Sequence, residues 1–358
     1  MTKHEKYIHR CIELAKNGIG TARPNPSVGA VIVYNDKIIG EGFTSVYGDN
    51  HAEVNAIAAV KNKELLHKAT IYVTLEPCAH FGKTPPCANL IVKHKIPNVV
   101  IGSIDTNSLV AGKGIAILKE AGCNVVVGVL DDECKEQHKR FFTVQNKKRP
   151  YIILKWAETQ DGFIAPETKD EQKPVWISNN YSQQLVHKWR AEEHAILVGT
   201  TTVIADNPKL NVRSWFGNNP IRVVLDKSLR IPENLNVLDG SVKTIVICDQ
   251  KSFQSEVKNE NFSNKKASQQ LIKECIDFSS RVAEQIIEVL QKHKIQSIII
   301  EGGRQTLQTF IDANLWDEAR FFVGENNFKV GVKGPKISGK IIEQKSINTD
   351  VLKIYKND

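Results

Sequence analysis

Two short stretches constrain the first half of this chain more than anything else in it. They are His51-Ala52-Glu53 and the segment that runs from Glu76-Pro77-Cys78 to Thr84-Pro85-Pro86-Cys87. Together they supply one imidazole, two thiols and a spare carboxylate. Zinc takes nitrogen and sulfur ligands in a tetrahedron, and a catalytic site uses three of them so that the fourth position stays open to water. His51, Cys78 and Cys87 are those three. For them to meet, the fold must bring separate chain segments to one point. Glu53 stands beside His51, where a carboxylate next to an activated water can move protons. A purely structural site needs a fourth ligand, and His80, two residues from Cys78, is the nearby supply.

Hydrophobic patterning sets the rest of the scaffold. Tyr7, Ile8, Cys11, Ile12, Leu14 and Ala15 have helical spacing over residues 5–17, which Gly18 and Gly20 end. Val28–Val33 and Ile38–Gly42 read as strands joined by a turn at Asn35-Asp36. Asp49 or Asn50 is expected to cap a helix from His51 through Val60. Ile71–Leu75 is a strand ending at the cysteine loop, and Cys87 opens a helix. Strands at Val99–Ser103 and Val125–Val129 flank a helix at 113–121. This alternation predicts a layered α/β domain. It also puts His51 and the cysteines near helix starts, where free N–H groups and the helix dipole favour thiolate.

A chain of 358 residues exceeds one ordinary core. Lys147-Lys148-Arg149-Pro150 is polar and proline-terminated, so the domains are expected at 1–146 and 150–358. A second α/β pattern follows, with strands at Tyr151–Lys155, Ala195–Gly199, Ile221–Leu225, Thr244–Cys248 and Ser297–Ile300, and helices at about 179–191, 280–292 and 303–313. The polar stretch Lys251–Lys273 is expected to be a surface loop. No Gly-x-Gly-x-x-Gly follows a strand here. Two strand-to-helix turns carry glycine instead, Gly199-Thr200-Thr201-Thr202 and Glu301-Gly302-Gly303-Arg304-Gln305-Thr306-Leu307. Each suits an anion, and each is equally compatible with an ordinary turn.

The net charge is +8, but Lys and Arg are interleaved with Asp and Glu along the whole chain. No basic block alternates with aromatics as a single-strand groove requires, so no nucleic-acid partner is expected. The field suits phosphorylated small molecules instead. No apolar run could span a bilayer, and Met1–Lys6 lacks a secretory signal core, so a cytoplasmic protein is expected with no membrane partner. The seven cysteines include five outside the metal pattern, Cys11, Cys123, Cys134, Cys248 and Cys275, read as buried free thiols. His4, His9, His67, His94, His138, His187, His194 and His293 are read as surface or internally satisfied.

His-x-Glu followed by Pro-Cys and a second cysteine resembles the signature of the zinc nucleobase deaminases. The stretched form Pro77-Cys78-Ala79-His80-Phe81-Gly82-Lys83-Thr84-Pro85-Pro86-Cys87, with Pro24-Asn25-Pro26-Ser27-Val28-Gly29 upstream, resembles the bifunctional deaminase/reductases of riboflavin biosynthesis. The second half resembles the reductase part of the same family in the order Lys155, Asp161-Gly162, Trp176-Ile177-Ser178, Arg190, Gly199 to Thr202, Asp206-Asn207-Pro208, Leu210, Arg213 and Glu301-Gly302-Gly303. The resemblance implies a cytidine deaminase-like three-layer domain followed by a dihydrofolate reductase-like α/β domain. It implies zinc-dependent hydrolysis of the 2-amino group of a diaminopyrimidinone ribosylamine 5′-phosphate, then NADPH-dependent reduction of the ribosyl group to ribityl.

By the same resemblance, Glu53, Lys155 and Asp206 are expected to be catalytic. Ala157, Trp176, Thr202, Asp206 and the 301–307 turn (Glu301, Gly302, Gly303, Arg304, Gln305, Thr306 and Leu307) are expected on NADPH. Asn25, His80, Lys83, Arg190, Leu210 and Arg213 are expected on substrate, and the enzyme is expected to be a homo-oligomer. The chain departs from the family pattern at three places. Asp105-Thr106-Asn107-Ser108 replaces Asp-Pro-Asn-Pro, Thr44 stands where a histidine is common, and Thr159-Gln160-Asp161-Gly162 replaces Ser-Leu-Asp-Gly. The alternative is a nucleic-acid-modifying zinc deaminase with an accessory binding domain. Binding of NADPH separates the two, because that alternative has no use for it.

Overall fold

The computed structural model describes residues 1–79, 85–106, 111–260 and 270–357, with backbone only for 256–260. The chain forms two compact units, Met1–Lys148 and Arg149–Asp358.

In the first unit the elements are α1 (Lys3–Ala15), β1 (Gly29–Tyr34), β2 (Lys37–Phe43), α2 (Ala52–Ala59), β3 (Thr70–Leu75), α3 (Cys87–Lys93), β4 (Asn98–Ser103), α4 (Lys113–Glu120), β5 (Asn124–Val127), α5 (Asp131–Gln137) and α6 (Lys139–Lys147). Among the described residues the sheet order is β2-β1-β3-β4-β5. β1 pairs antiparallel with β2 and β3, while β3, β4 and β5 run parallel. The β1–β2 turn has Asn35 and Asp36 at φ 47° and 59°, a left-handed pair that these short polar side chains tolerate.

Strand alternation fills two layers. Ile71, Val73 and Leu75 of β3 face a core with Ala56 and Ile57 of α2, Ile91 of α3 and Leu118 of α4. Tyr72, between them, faces the opposite core with Tyr7, Ile8 and Cys11 of α1 and Cys134 of α5. The helix α1 lies hard against β1: a Cβ on Gly29 would sit 1.9 Å from the Cys11 carbonyl oxygen.

The start of α2 differs from expectation. Its N-cap is His51, with no side-chain capping bond, rather than Asp49 or Asn50. The imidazole is turned instead toward the cysteines.

The second unit comprises β6 (Tyr151–Glu158), β7 (Phe163–Pro166), α7 (Asn180–Glu192), β8 (Ala195–Gly199), α8 (Thr200–Asp206), β9 (Ile221–Leu225), β10 (Thr244–Cys248), α9 (Gln250–Glu260), β11 (Leu271–Cys275), α10 (Val282–Lys292), β12 (Ser297–Ile300), α11 (Arg304–Asp312), β13 (Glu318–Val323), β14 (Gly331–Lys333), β15 (Lys340–Ile347) and β16 (Asp350–Lys356). Among the described residues the main sheet has the order β11-β10-β9-β8-β12-β6-β13-β16-β15. It is parallel up to β13, and β16 and β15 then add antiparallel.

Continuous apolar runs such as Ile152-Ile153-Leu154 and Ile298-Ile299-Ile300 are buried on both faces, as parallel strands require. One face packs on α10 and α11 through Ile286, Leu290, Leu307 and Phe310. The other packs on α7 and α8 through Val186, Trp189 and Val203. Trp156 and Phe321, partners across β6 and β13, stack with centroids 4.4 Å apart.

The polar 251–273 stretch is not simply a loop. Its described part holds α9, whose first turn is capped by Asp249 Oδ1 accepting from the Ser252 N–H at 2.7 Å, and most of the edge strand β11. Lys273 and Glu274 point to opposite faces of this edge strand, and Glu274 is answered by Lys292 and His293 at 2.7 Å each.

The seal between α1 and β1 gives a direct test. Gly29→Ala should lower the stability of the first unit by about 1–3 kcal/mol, the usual cost of overpacking. All five tryptophans lie at or beyond Trp156. In urea titrations far-UV circular dichroism should therefore show an earlier first-unit transition, while the transition reported by tryptophan fluorescence holds its midpoint.

Candidate active sites

Three elements deliver the first site. β3 ends into Cys78, α2 begins just after His51, and Cys87 is the first residue of α3. The His51 Nδ1 lies 3.6 Å from the Cys78 Sγ and 3.4 Å from the Cys87 Sγ. The Cys87 backbone N–H donates to the Cys78 sulfur at 3.3 Å. Ligand atoms of all three residues fall within 4.8 Å of one another. A tetrahedral zinc with ordinary Zn–S and Zn–N bonds needs ligand-to-ligand separations of roughly 3.5 Å, so this donor set fits the ion in type and in spacing.

The electrostatics agree. The Cys87 thiol, hydrogen-bonded to Cys78, is the main reason the Cys78 sulfur is held as thiolate with a pKa of about 4, and His51 adds to the effect. Cys87 correspondingly keeps its proton more tightly. The pair thus shares one proton, which a dication would displace. Glu53, in the first turn of α2, is 4% exposed, and burial pushes its carboxyl up to about 7. A carboxyl with that pKa can both accept and return a proton near neutral pH.

Asn25 is half-buried in the stretch before β1, where its N–H donates to the Ala22 carbonyl at 3.1 Å. Thr44 is buried, and its hydroxyl accepts from the Val28 N–H at 2.9 Å. The residue that replaces the common histidine therefore fastens Val28, at the entry to β1. His80 and Lys83, and Asn107 and Ser108 of the departing turn, lie outside the described residues.

The second site is a cavity of about 1450 Å³ at the carboxyl ends of β6, β8, β9 and β12. That exceeds the roughly 300–1,000 Å³ of a pocket for one small ligand and leaves room for two. Its lining includes Lys155, Ala157, Trp176, Thr202 and Asp206, then Arg190, Leu210 and Arg213, and then Glu301 through Thr306. Leu307 is not among them: it is 0% exposed and belongs to the core under the sheet. Helical spacing turns positions 307 and 310 of α11 inward.

The two glycine turns form the middle of this cavity because they touch each other. A Cβ on Gly302 would sit 3.1 Å from the Gly199 nitrogen, and one on Gly199 would sit 2.7 Å from the Thr306 Oγ1. At one end Glu301 takes the guanidinium of Arg190 in a fork, at 3.2 Å and 2.7 Å, with the Lys155 Nζ 4.0 Å away. Burial would raise the Glu301 carboxyl, but Arg190 and Lys155 outweigh it and bring it down to about 2. Burial likewise pulls the Lys155 ammonium down.

Arg213 is placed by its backbone N–H, which donates to the His187 Nδ1 at 3.3 Å. Asp206, at the end of α8, is ion-paired with Lys169. In the 159–162 turn the Thr159 hydroxyl bonds Asp161 and accepts from the Phe163 N–H at 3.0 Å, work that a serine hydroxyl could also do.

Three of these arrangements carry no local sequence signal, because the partners come from remote segments: the fork of Glu301 on Arg190, the support of Arg213 by His187, and the pairing of Lys169 with Asp206. Of the five other cysteines, Cys11, Cys134 and Cys248 are buried, whereas Cys123 and Cys275 are partly exposed. His138 is buried and only half satisfied. Its Nε2 meets the Thr74 hydroxyl at 3.0 Å while the Nδ1 has no partner among the described residues, and burial brings its pKa down to about 3.

Known proteins resemble the chain over both units. Residues 1–103 match the cytidine and deoxycytidylate deaminase zinc-binding region, and residues 150–331 match the RibD C-terminal domain. The chain is 37% identical to the riboflavin biosynthesis protein RibD of Aquifex aeolicus (strain VF5), over 94% of this chain and 88% of that protein. It is 39% identical to the protein of the same name from Bacillus amyloliquefaciens, over 89% and 83%. Among solved structures, the diaminohydroxyphosphoribosylaminopyrimidine deaminase/5-amino-6-(5-phosphoribosylamino)uracil reductase of Thermotoga maritima superposes with a TM-score of 0.86 at 34% identity over 99% of both chains. Acinetobacter baumannii RibD superposes with a TM-score of 0.85 at 31% identity.

Fold and sites together define a mixed α/β enzyme in which a zinc-binding, cytidine deaminase-like domain precedes a reductase domain that calls for a nicotinamide cofactor. The chain belongs to the RibD family, the bifunctional deaminase/reductases of riboflavin biosynthesis. Among the described residues no helix is long and apolar enough to cross a membrane.

The Glu301 carboxylate should be felt in acid. Its folded pKa lies below the ordinary glutamate value of about 4.3, so its stabilisation is complete above that pH and is lost as pH falls toward about 2. Glu301→Gln strands two cations and should cost the second unit about 3–5 kcal/mol at neutral pH. Urea unfolding followed by tryptophan fluorescence should show that loss, and the difference from wild type should shrink between about pH 4 and pH 2. An undiminished difference would contradict the assignment.

Proposed function

We propose that the first unit hydrolyses the 2-amino group of 2,5-diamino-6-(5-phosphoribosylamino)pyrimidin-4(3H)-one. The second unit then reduces the ribosyl group of the product to ribityl with NADPH. The observation that carries this reading is the convergence of His51, Cys78 and Cys87 beside a buried Glu53.

His51, Cys78 and Cys87 would hold the zinc, which would supply the Lewis acidity that makes water a nucleophile at neutral pH. Glu53 takes the proton from that water and delivers it to the departing amine, a role its raised pKa suits. Asn25 orients the pyrimidine, with His80 and Lys83 as further contacts. In the second unit the nicotinamide cofactor supplies the hydride. Ala157, Trp176, Thr202 and the 301–306 turn would bind it, with the backbone N–H groups of the two glycine turns suited to its anionic part. Trp176, 54% exposed on the cavity wall, offers a flat face.

Lys155 supports charge at the reacting carbon, and Asp206, held by Lys169, lies on the cofactor side. Leu210 and Arg213 receive the sugar phosphate. Arg190 contributes through its third nitrogen, whose one bond within the chain is a long 3.4 Å contact to the Asn211 carbonyl. The protein works in the cytoplasm as a homo-oligomer.

Two substitutions separate ligand from proton carrier. Cys87→Ala should abolish both metal content and deamination. Glu53→Gln should keep about one zinc per chain while deamination falls by roughly 10²–10⁴. Metal analysis alongside ammonia release checks both, and zinc loss from the Glu53 variant would make that residue a ligand.

Asp206→Asn should lower reduction strongly while deamination continues, so that the deaminated, unreduced intermediate accumulates. Chromatography of the products with NADPH present would show it. Parallel loss of both steps would contradict two separate sites.

A further inference from the structure

The helix α4 begins without a capping side chain of its own. Its N-cap is Gly112, at φ 75°, and no side-chain capping bond comes from that residue. A helix start leaves several N–H groups without intrahelical partners. Here the acceptor arrives from another element. The Glu76 Oε2 accepts from the Gly112 N–H at 3.0 Å and from the Asp105 N–H at 3.3 Å, while the Oε1 accepts from the Ile115 N–H at 3.2 Å. Glu76 is buried, and its own N–H donates to the Ser103 carbonyl at 2.9 Å.

Glu76 immediately precedes Pro77-Cys78. The Pro77 carbonyl rests on the same turn of α4, so closely that a Cβ on Gly114 would sit 2.0 Å from its oxygen. On its other side Cys78 is tied to α3: its carbonyl accepts from the Ala88 N–H at 3.2 Å and its sulfur from the Cys87 N–H. The Cys78 segment is thus gripped between the first turns of two helices.

We propose that Glu76 is a positioning residue of the deaminase site. By capping α4 and the Asp105 turn in trans, it clamps the Pro77-Cys78 segment against Gly114 and holds the Cys78 sulfur at ligand distance from His51 and Cys87. This rests on the reading of those three residues as the zinc ligands. A carboxylate is required because both of its oxygens face N–H donors. A glutamine offers one acceptor and would turn its own donors toward the others. Residues that hold metal ligands from behind typically matter 10–100-fold for metal affinity or activity.

The test is zinc release from the full-length holoprotein to an excess of chromogenic chelator. Glu76→Gln should release zinc about 10–100-fold faster than wild type, and amide exchange at Gly112 and Ile115 should accelerate with it. Gly114→Ala is the second variant, for the case in which the first does not fold. It leaves the Glu76 carboxylate in place, with the new methyl group 3.2 Å from the mobile Oε1 end, and replaces glycine with a better helix former, so a merely structural role for the α4 start predicts equal or slower release. The clamp predicts faster release, because the methyl group must displace the Pro77 carbonyl. Wild-type release rates in the folded variants would overturn this assignment alone. A wild-type protein that takes up no zinc would overturn the zinc reading and this assignment together.

Discussion

Parallel strands that are covered on both faces leave the chain one place to keep polar chemistry, the rim where strands stop and helices start. The cysteines, His51 and the glycine turns obey that constraint, whereas Lys155 reaches out from within β6 and Arg190 from the last turn of α7. In the first unit β3 runs out into Glu76 and Cys78, and β4 into Asp105. In the second, β8 and β12 run out into Gly199 and Glu301, and β9 into the opposite cavity wall. The cores beneath need only be apolar and of the right volume. The rims need particular residues, because there backbone donors, side-chain charges and ligands compete for the same few ångströms.

Close approach at the rim is settled by missing side chains as much as by present ones. Gly114 lets the Pro77 carbonyl reach α4, and Gly302 lets one strand-to-helix turn lean on another. Such contacts convert a flexible turn into a fixed surface without spending a charged group. Where a charge is used, it is buried and answered from elsewhere in the chain, as Glu301 is by Arg190 and Glu76 by three backbone N–H groups.

This division explains how much was legible in the sequence. The metal set could be read because its chemistry is written in residue types at short spacing, and the strands around it because their alternation is strong. The cap of α2 is not legible there: Asp49 and Asn50 have good capping side chains, but the helix starts at His51, whose imidazole faces sulfur. Leu307 was grouped with its turn, although helical spacing places it with Phe310 in the core. The strands β13, β15 and β16 went unread. β13 hides a paired Glu318 and Arg320, with the Arg320 Nε at 2.8 Å from Glu318, and β15 is polar because it closes an edge. Trans contacts such as Glu76 to Ile115 have no local signature at all.

The charge balance around Glu301 has one more consequence. Two cationic side chains, Lys155 and Arg190, share a single carboxylate in a mostly desolvated corner, with Arg213 nearby. The corner's own side chains are therefore short of negative charge, and an anionic ligand would offset part of the crowding of like charges. Ligand charge becomes a structural component there. Occupancy and rigidity should rise together, and both should weaken as salt screens the attraction.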